Sequence, residues 1–404
     1  MRSLHRLPAQ NGLSFERLDS HLSSVIRHLS SVLCHLSSLN YRLSTSMHLF
    51  DTMSEMGHEQ IAICHDKSSG YRGVIAIHDT TLGPALGGTR FWNYASDEEA
   101  IIDALRLARG MTYKNAVAGL NLGGGKAVII GDNRTTNREL IFRAHGRFVE
   151  SLGGRYVTAE DVGTSTADMD FVHMETDFVA GLANKSGDPS PVTARGVFRA
   201  IEASAKWRWG SPSLDGKTVV VQGLGNVGYY LCRELNAVGA KLIVTDIRPE
   251  RVERVVGEFK AKAVDGDAIY SAKGDIFAPC ALGAILNDDT IPKLQVEIVC
   301  GGANNQLHVP GKHGAAVEKR GILYAPDFVA NAGGVINVYG EVANWTHERA
   351  LRKADEIFDT MLGIYQIAKE QGILTYDAAD KLAERRIAAI HGLVKTWPLW
   401  PRKS

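Results

Sequence analysis

Two lysines stand close together in the sequence among apolar neighbours, Lys114 in "MTYKNA" and Lys126 in "AGLNLGGGKAVII". An ammonium group that is removed from water needs an anion or a reaction to compensate for its lost hydration. A phosphate-binding P-loop requires a glycine five residues before the Gly-Lys pair and Ser or Thr directly after it. This chain has Leu120 and Ala127 at those two positions. A P-loop therefore does not explain the lysines.

A carboxylate completes the set, because Asp161 follows in the segment "AEDVGT". Removal of a hydride from the α-carbon of an amino acid requires a cation for the α-carboxylate, a base with a pKa near neutrality, and a carboxylate for the amine. Burial and a neighbouring cation both lower the pKa of a lysine, so Lys126 beside Lys114 is a candidate general base. We expect the glycines at 123–125 to let a substrate approach the backbone. Taken alone, each lysine is equally compatible with a surface position ahead of a strand.

A glycine-rich turn provides a second candidate site. The segment "VVVQGLGNVGYYLCRELNAVGAKLIVTDI" has the spacing Gly223-x-Gly225-x-x-Gly228 between a predicted strand and a predicted helix, and the next predicted strand ends at Asp246. This combination is the fingerprint of a dinucleotide-binding turn, in which the helix N-terminus binds the pyrophosphate. Asp246 is expected to bind ribose hydroxyls and to favour NAD over NADP, although Arg248 leaves NADP open. The remaining predicted contacts in the turn are Leu224, Asn226 and Val227.

Two later segments, "FAPCALG" and "CGGANNQL", begin at the carboxyl ends of predicted strands, where open α/β sheets bind ligands. They add Cys280, Ala281, Asn304 and Asn305 to the predicted cofactor site. The asparagines are suitable amide partners for a nicotinamide or its ribose, and the alternative is that they cap the following turn. Thr193, in the linker-like segment "GDPSPVTARG", is assigned to the same site.

The composition argues against several classes of protein. Forty-five basic residues balance forty-five acidic ones, so no overall field attracts nucleic acid or an anionic membrane. No segment approaches the ~20 consecutive apolar residues of a transmembrane helix. The five cysteines form no CxxC pair and the fourteen histidines no HExxH motif. We therefore expect no metal site and a reducing, cytoplasmic compartment.

The predicted elements divide the 404 residues into parts. Strands mixed with a helix over 97–109 predict an α/β substrate-binding and oligomerisation domain over 47–185. Six short apolar segments after Asp215 alternate with helices or loops, which predicts a Rossmann-type doubly wound parallel sheet over 186–335. Residues 336–404 have helical periodicity and are expected to pack back across the cleft between the domains.

The first 46 residues have a different character. "HLSSVIR", "HLSSVLC" and "HLSSLNY" repeat every seven residues from His21. A short coiled coil, a targeting segment, and a disordered or mis-assigned extension are three interpretations of this repeat. We favour the extension, because three heptads are weak support for a coiled coil.

Several segments occur in order from about Met47 into the C-terminal helices: "HDTTLGPALGGTRFW", "ALRLARGMTYKNAVAGLNLGGGKAVIIGD", "TAEDVGTSTADMD", "GDPSPVTARGV", "VQGLGNVG", "APCALGAILNDDTI", "GGANNQL" and "YAPDFVANAGGVINV". Together they resemble the Glu/Leu/Phe/Val dehydrogenase family, and within it most of all the leucine dehydrogenases. The resemblance implies an NAD-dependent, reversible oxidative deamination of an L-amino acid to a 2-oxo acid and ammonium. It implies that Lys126 is catalytic, that Lys114 binds the substrate carboxylate and that Asp161 assists proton transfer. It also implies that Gly87 and Gly88 line the substrate site and that the enzyme is a homo-oligomer, often an octamer.

The same resemblance bears on the choice of substrate. Glutamate enzymes of the family place a lysine where this chain has Leu86, and a glutamate carboxylate buried there without a partner is costly. The other implied pocket residues, Ala159, Val335 and Val338, are apolar and small to medium, which suits a branched aliphatic side chain, with L-leucine favoured. Because one methylene group is worth only ~1–3 kcal/mol, an aromatic substrate (Phe or Trp) is the alternative.

One stretch departs from the family pattern. After "NAGGVINV" the chain continues "YGEVANW", so Tyr339 or Trp345 is expected to alter the pocket rim or a subunit contact. The alternative from a different class is a non-catalytic NAD-binding sensor, which would need the glycine turn but not Lys126 and Asp161 together.

Overall fold

The computed structural model describes residues 48–182, 185 and 187–393. The heptad repeats and the predicted extension over residues 1–46 lie outside these ranges. Residue contacts group the chain into a unit of residues 1–52 and a unit of residues 53–404, and the sheets described below belong to the second unit. The first described helix is α1 (Leu49–Met56).

A mixed five-stranded sheet forms the first part of this unit. Its strand order is β1-β2-β4-β3-β5; the β1–β2 and β2–β4 pairs are antiparallel, whereas β4–β3 and β3–β5 are parallel. The strands are β1 (Gln60–Asp66), β2 (Tyr71–Asp79), β3 (Ala85–Trp92), β4 (Gly123–Ile130) and β5 (Tyr156–Glu160). Its helices are α2 (Asp97–Val117), α3 (Arg138–Ser151) and α4 (Thr166–His173).

Helix α2 is longer than the sequence predicts. Its N-terminus agrees with the prediction, because the Ser96 hydroxyl accepts a hydrogen bond from the Glu99 backbone N–H and three acids occupy the first turn. The helix does not end at Arg109 but continues to Val117, because its buried face packs on the sheet beyond Gly110. Lys114 therefore lies in the last helical turn.

The three glycines of β4 have a different role from the expected one. A Cβ atom on Gly124 would lie 2.1 Å from the backbone nitrogen of Thr112 in α2, and one on Gly125 would lie 2.6 Å from the Tyr156 ring. Protein atoms thus occupy the space that we expected a substrate to use. The glycines allow α2 and the neighbouring strands to pack closely against β4.

The second sheet confirms the predicted doubly wound fold. All six apolar segments form strands, and every pair is parallel in the order β11-β10-β9-β6-β7-β8. The strands are β6 (Thr218–Gln222), β7 (Lys241–Thr245), β8 (Lys262–Ala263), β9 (Ile276–Pro279), β10 (Ile298–Val299) and β11 (Leu323–Tyr324). The helices of this part are α5 (Ser190–Trp209), α6 (Asn226–Ala237), α7 (Pro249–Phe259) and α8 (Pro310–Lys319).

The chain ends in a series of helices: α9 (Asp327–Ala330), α10 (Gly333–Val342), α11 (His347–Asp355), α12 (Ile357–Gln371) and α13 (Thr375–His391). Helix α13 lies against α2, where the Arg386 guanidinium donates to the carbonyl oxygens of Leu120 (2.7 Å) and Ala116 (3.1 Å). The predicted boundary after residue 335 falls inside α10, and the boundary after residue 185 stays a prediction.

Among the described helices, none combines the length and apolarity that crossing a membrane requires. Within the same described residues, no group of three or more His, Cys, Asp or Glu side chains is arranged to hold a metal ion.

Candidate active site

Lys126 lies in the middle of β4, the most deeply buried part of the first sheet, and its side chain is only 6% exposed. Its Nζ atom donates a 2.6 Å hydrogen bond to Oδ2 of Asp161. Burial lowers the pKa of Lys126, because a charged amine loses its hydration, and the negative charge of Asp161 only partly opposes this effect. An amine with a lowered pKa, held against a carboxylate, gives up its proton more readily than a solvated lysine does and is suited to proton exchange.

Asp161 begins the loop that follows β5. Its backbone N–H donates to the Thr164 hydroxyl (2.8 Å), and that hydroxyl also donates to the Thr89 carbonyl of β3 (3.1 Å), which ties the loop to the sheet. A Cβ on Gly88 would lie 2.8 Å from the Cβ of Asp161, so the glycine leaves room for the aspartate. Burial favours the neutral acid, but Lys126 and Arg90 outweigh it, so the pKa of Asp161 lies below its usual value.

Lys114 approaches the same place from α2. Its Nζ donates a 2.6 Å hydrogen bond to Oδ1 of Asn331, in the turn between α9 and α10. Burial lowers the pKa of Lys114 to about 8; the charge of Lys126 acts in the same direction, and Asp327 and Asp161 act against it. The structure therefore brings Lys114, Lys126 and Asp161 together as a cluster of interacting charges.

Asn331 connects this cluster to the second sheet. Its Nδ2 atom donates to Oδ1 of Asn304 (2.7 Å), which lies in the loop after β10. The backbone oxygen of Asn304 would lie 2.7 Å from a Cβ on Gly283, which follows directly after Leu282. Leu282 lines the cavity described next, so a chain of contacts through Asn331 and Asn304 leads from Lys114 to the edge of that cavity.

The glycine turn opens onto a cavity of about 620 Å³. Five residues of the predicted cofactor site line it: Gly223, Gly225, Asp246, Cys280 and Ala281. The lining also includes residues that the sequence did not single out: Gln222, Thr245, Ile247, Arg251, Gly266, Asp267, Tyr270, Leu282 and Ile285. Of these, Arg251 lies near Asp246, with its Nη1 3.7 Å from Oδ2. Arg251, rather than Arg248, is thus the arginine of this cavity.

The turn has the shape that a dinucleotide pyrophosphate requires. Gly223 has φ +92°, and a Cβ on it would lie 2.7 Å from the Cβ of Ala281. In contrast, the nearest atom to a Cβ on Gly225 is 3.8 Å away, so open space lies in front of this glycine at the N-terminus of α6. A Cβ on Gly228 would lie 2.0 Å from the Gly223 oxygen, as expected for close packing of helix and strand. The residues present therefore fit a dinucleotide, with its phosphates at the helix N-terminus.

Asp246 has an additional structural task in the turn. Its Oδ2 accepts the backbone N–H of Leu224 (2.6 Å) and its Oδ1 accepts that of Arg248 (2.9 Å). These two hydrogen bonds hold the glycine turn in place. Each carboxylate oxygen keeps a lone pair that can accept a hydrogen bond from a ligand hydroxyl.

Other predicted cofactor residues lie outside the lining of this cavity. The Thr193 hydroxyl in α5 donates to the carbonyl oxygen of Pro189 (2.9 Å). The side-chain oxygen of Asn304 accepts the hydrogen bond from Asn331. Asn305, with φ +50°, lines a neighbouring cavity of about 260 Å³ together with Tyr324 and Asp327. Leu224, Asn226, Val227 and Gly228 form the turn and the first turn of α6 without lining the cavity.

The proposed substrate-pocket residues lie on two elements of the first sheet and on α10. Leu86 of β3, Val335 and Val338 belong to one apolar cluster. Ala159 of β5 is buried and pairs with Gly88 across the strands. Gly87 is packed so tightly that a Cβ on it would lie 1.7 Å from the Gly125 oxygen, which requires glycine at this position for reasons of packing alone. Tyr339 and Trp345, in the departure from the family pattern, stack edge to face with ring centroids 4.9 Å apart.

Comparison with known proteins bears on the family of the chain. The family model described as Glu/Leu/Phe/Val dehydrogenase, dimerisation domain, matches residues 58–178. The family model described as Glutamate/Leucine/Phenylalanine/Valine dehydrogenase matches residues 186–248 and 244–397. The chain belongs to the Glu/Leu/Phe/Val dehydrogenase family. It is an amino-acid dehydrogenase, which sets aside the hypothesis of a non-catalytic sensor.

Three relatives within this family differ in their substrates. The chain is 58% identical to a leucine dehydrogenase of Geobacillus stearothermophilus, over 84% of this chain and 94% of the relative. It is 52% identical to an L-tryptophan dehydrogenase of Nostoc punctiforme (84% and 96%) and 50% identical to a valine dehydrogenase of Streptomyces coelicolor (85% and 95%). The crystal structure of L-tryptophan dehydrogenase from Nostoc punctiforme matches with a TM-score of 0.79, covering 85% of this chain and 99% of that chain.

The sequence analysis did not assign a site role to three polar residues that the structure places at or near the lysine cluster: Arg90, Asp327 and Asn331. Asp327 is buried and accepts the backbone N–H groups of Gln306 and Phe328, both at 2.7 Å; burial raises its pKa. Each stands in a largely apolar segment: Arg90 in "GGTRFW", and Asp327 and Asn331 in "YAPDFVANAGG". A buried polar group in such a segment needs a partner, and that was the available signal.

Proposed function

We propose that this amino-acid dehydrogenase uses NAD to deaminate branched-chain L-amino acids, with L-leucine favoured, giving the 2-oxo acid and ammonium. The observation that carries the proposal is the Lys126–Asp161 pair, 2.6 Å apart with the lysine buried, together with Lys114, which contacts through Asn331 and Asn304 connect to the edge of the glycine-turn cavity.

Lys114 is the proposed partner of the substrate α-carboxylate. Its ammonium is partly buried at the end of α2, and a pKa of about 8 keeps most of it charged at neutral pH. An arriving carboxylate would raise this pKa further, because it stabilises the charged form. Asn331 orients the ammonium from the opposite side by its 2.6 Å hydrogen bond.

Lys126 is the proposed general base and Asp161 its partner in proton transfer. Because burial lowers the pKa of Lys126, its neutral amine is more accessible than that of a solvated lysine and can take a proton from the water that attacks the oxidised α-carbon. Asp161 would hold the substrate amine and return a proton to it as ammonium leaves. Charges that are fixed in a cleft poor in water stabilise such changes more strongly than charges in bulk solvent.

The cavity of the glycine turn would hold NAD, which supplies the acceptor for the hydride of the substrate α-carbon. Gly225 and the N-terminus of α6 would bind the pyrophosphate, and Asp246 the adenosine ribose. The proximity of Asp246 favours NAD, because its carboxylate repels a 2′-phosphate, whereas Arg251 at 3.7 Å weakens that repulsion. We therefore propose a preference for NAD rather than an exclusion of NADP.

The apolar character of Leu86, Val335 and Val338, which are part of the large hydrophobic core, supports an aliphatic substrate. The 58% identity to a leucine dehydrogenase supports leucine within that class. An aromatic substrate is the second candidate, favoured by the 52% identity to an L-tryptophan dehydrogenase. We also propose a homo-oligomer, because residues 58–178 match a domain described by its role in dimerisation; the family resemblance extends this proposal to an octamer.

The test is a panel of L-Leu, L-Val, L-Ile, L-Phe, L-Trp and L-Glu with NAD and with NADP, followed by the absorbance of the reduced nicotinamide. We expect the highest kcat/KM for leucine with NAD, with Val and Ile next. A higher kcat/KM for Trp or Phe would transfer the assignment to the aromatic class. Absence of reduction with every amino acid would refute the proposed function.

A further inference from the structure

Arg90 and Gly88 stand two residues apart on β3, so their side-chain directions lie on the same face of the first sheet. Gly88 leaves room for Asp161, and Arg90 contacts it: Nε of Arg90 is 3.3 Å from Oδ2 of Asp161. The same Oδ2 atom is 2.6 Å from Nζ of Lys126. One carboxylate oxygen is thus shared between two cations.

Arg90 is itself held by a second carboxylate, that of Asp103. Its Nη1 donates to Oδ2 of Asp103 on α2 (2.7 Å), and the Tyr94 hydroxyl donates to the same oxygen (2.8 Å). The other oxygen of Asp103 accepts from Arg106 (2.8 Å). A planar guanidinium presents separate nitrogens to two carboxylates at once, which a lysine ammonium on a single atom does not reproduce. The guanidinium therefore spans α2 and the loop after β5.

The electrostatic environment of Lys126 comprises four charged groups: Asp161 in the loop after β5, Arg90 on β3, and Asp103 and Lys114, both on α2. Burial is the largest cause of the lowered pKa of Lys126; Asp161 and Asp103 raise it, and Arg90 lowers it. Arg90 also lowers the pKa of Asp161, together with Lys126 and against the effect of burial. Without Arg90, no second cation would compensate the negative charge of Asp161. The carboxylate would then stabilise the Lys126 ammonium more strongly, so Lys126 would release its proton less readily.

We propose that Arg90 is a positioning residue: it holds the Asp161 carboxylate against Lys126 and takes up part of its charge, so that the Lys126 ammonium can release its proton. The inference rests on the proposed function, in which Lys126 is the general base. It assigns to Arg90 no contact with the substrate or the cofactor. Its role is to set the pH at which the Lys126–Asp161 pair becomes competent.

The first experiment is the pH dependence of kcat/KM for L-leucine in Arg90→Gln, Arg90→Lys and the control Arg106→Gln. Arg106 also contacts Asp103 but has no contact with Asp161, and it is largely exposed. In Arg90→Gln we expect the acidic limb to move upward by about one pH unit, the effect of removing one cation close to a buried amine. Arg90→Lys should move the limb by less, and Arg106→Gln should follow the wild type.

The second experiment needs no turnover. Trace acetylation of the protein with acetic anhydride over a range of pH, read by peptide mass spectrometry, reports the titration of Lys126 directly. We expect the midpoint for Lys126 to rise in Arg90→Gln by the same amount as the kinetic limb. If the wild type oxidises no amino acid, the proposed function fails, and this titration still tests the action of Arg90 on Lys126.

Two results would overturn the inference. A uniform loss of kcat/KM at every pH in Arg90→Gln, with an unmoved Lys126 midpoint, would mean that Arg90 supports only the fold. A larger shift in Arg90→Lys than in Arg90→Gln would mean that the charge shared with Asp161 is irrelevant.

Discussion

The Nζ atom of Lys114 donates a 2.6 Å hydrogen bond to Oδ1 of Asn331, a residue 217 positions later in the chain. Lys114 lies in the last turn of the helix that packs on the first sheet, and Asn331 lies in the turn between α9 and α10, beyond the second sheet. Because the amide nitrogen of Asn331 simultaneously donates to Asn304, this single side chain orients the proposed carboxylate-binding cation and a loop beside the cofactor cavity.

This bond gives a prediction for Asn331→Asp. The new carboxylate would occupy the ammonium of Lys114 and compete with the substrate carboxylate for it. We expect the KM for leucine to rise roughly tenfold to a hundredfold, the range that ~1.5–3 kcal/mol for a hydrogen bond to a charged group implies. Steady-state kinetics at saturating NAD measure this, and Asn236→Asp on the exposed face of α6 is the matched control. An unchanged KM would contradict the assigned role of Lys114.

A second prediction concerns Lys126→Ala. Loss of a general base typically costs about 10²–10⁴ in rate, so we expect kcat to fall within or beyond that range. The affinity for NAD, measured by fluorescence titration, should stay close to that of the wild type, because Lys126 lies in β4 and not in the glycine turn. Lys67→Ala, an exposed lysine of the β1–β2 turn, is the control. Retention of most of the activity would remove Lys126 from the mechanism.

The regular parts of the fold were predictable from local patterns. The six strands of the second sheet follow from short apolar segments, and the glycine spacing follows from the steric needs of the turn at Gly223 and Gly228. The end of α2 was not predictable in this way, because the packing of Thr112 against Gly124 stabilises the helix beyond Gly110. Local propensity contains no information about that tertiary contact.

The candidate site also has a part that could be predicted from the sequence and a part that depends on tertiary contacts. Charged residues with an unusual setting in sequence, Lys114, Lys126 and Asp161, were identified from the chain alone. Their partners Arg90 and Asn331 were not, since the contacts join segments 71 and 217 residues apart. The glycines at 123–125 were misinterpreted for a related reason: only the folded structure reveals that the end of β2, helix α2 and the Tyr156 ring fill the space in front of them.

A third prediction addresses the choice of substrate through Leu86→Lys. Leu86 is buried in β3, and an ammonium there supplies the partner that a glutamate side chain lacks in the wild-type pocket. We expect kcat/KM for leucine to fall and that for glutamate to rise, so that their ratio moves toward glutamate by roughly tenfold or more. The measurement is kcat/KM for both substrates in each protein. If the ratio does not change, Leu86 does not face the substrate side chain.

The last prediction concerns acid stability and His145. This buried imidazole lies between the Tyr71 hydroxyl (3.0 Å from Nδ1) and the Thr89 hydroxyl (2.8 Å from Nε2). Burial lowers its pKa from 6.5 to about 3. Between these two values the unfolded chain binds a proton that the folded chain does not, so the stabilising contribution is present above pH 6.5 and is lost as the pH falls toward 3.

In His145→Gln we therefore expect a lower free energy of unfolding at neutral pH, by ~1–3 kcal/mol for the altered hydrogen bonds, together with a shallower decline on acidification. The slope should decrease by up to ~1.4 kcal/mol per pH unit, the value for one proton. His78, whose pKa burial lowers to about 4, continues to contribute in both proteins, so part of the slope remains. Urea unfolding at intervals between about pH 7 and pH 4 measures the difference. Parallel pH curves for the two proteins would mean that His145 titrates in the folded state much as it does in the unfolded chain.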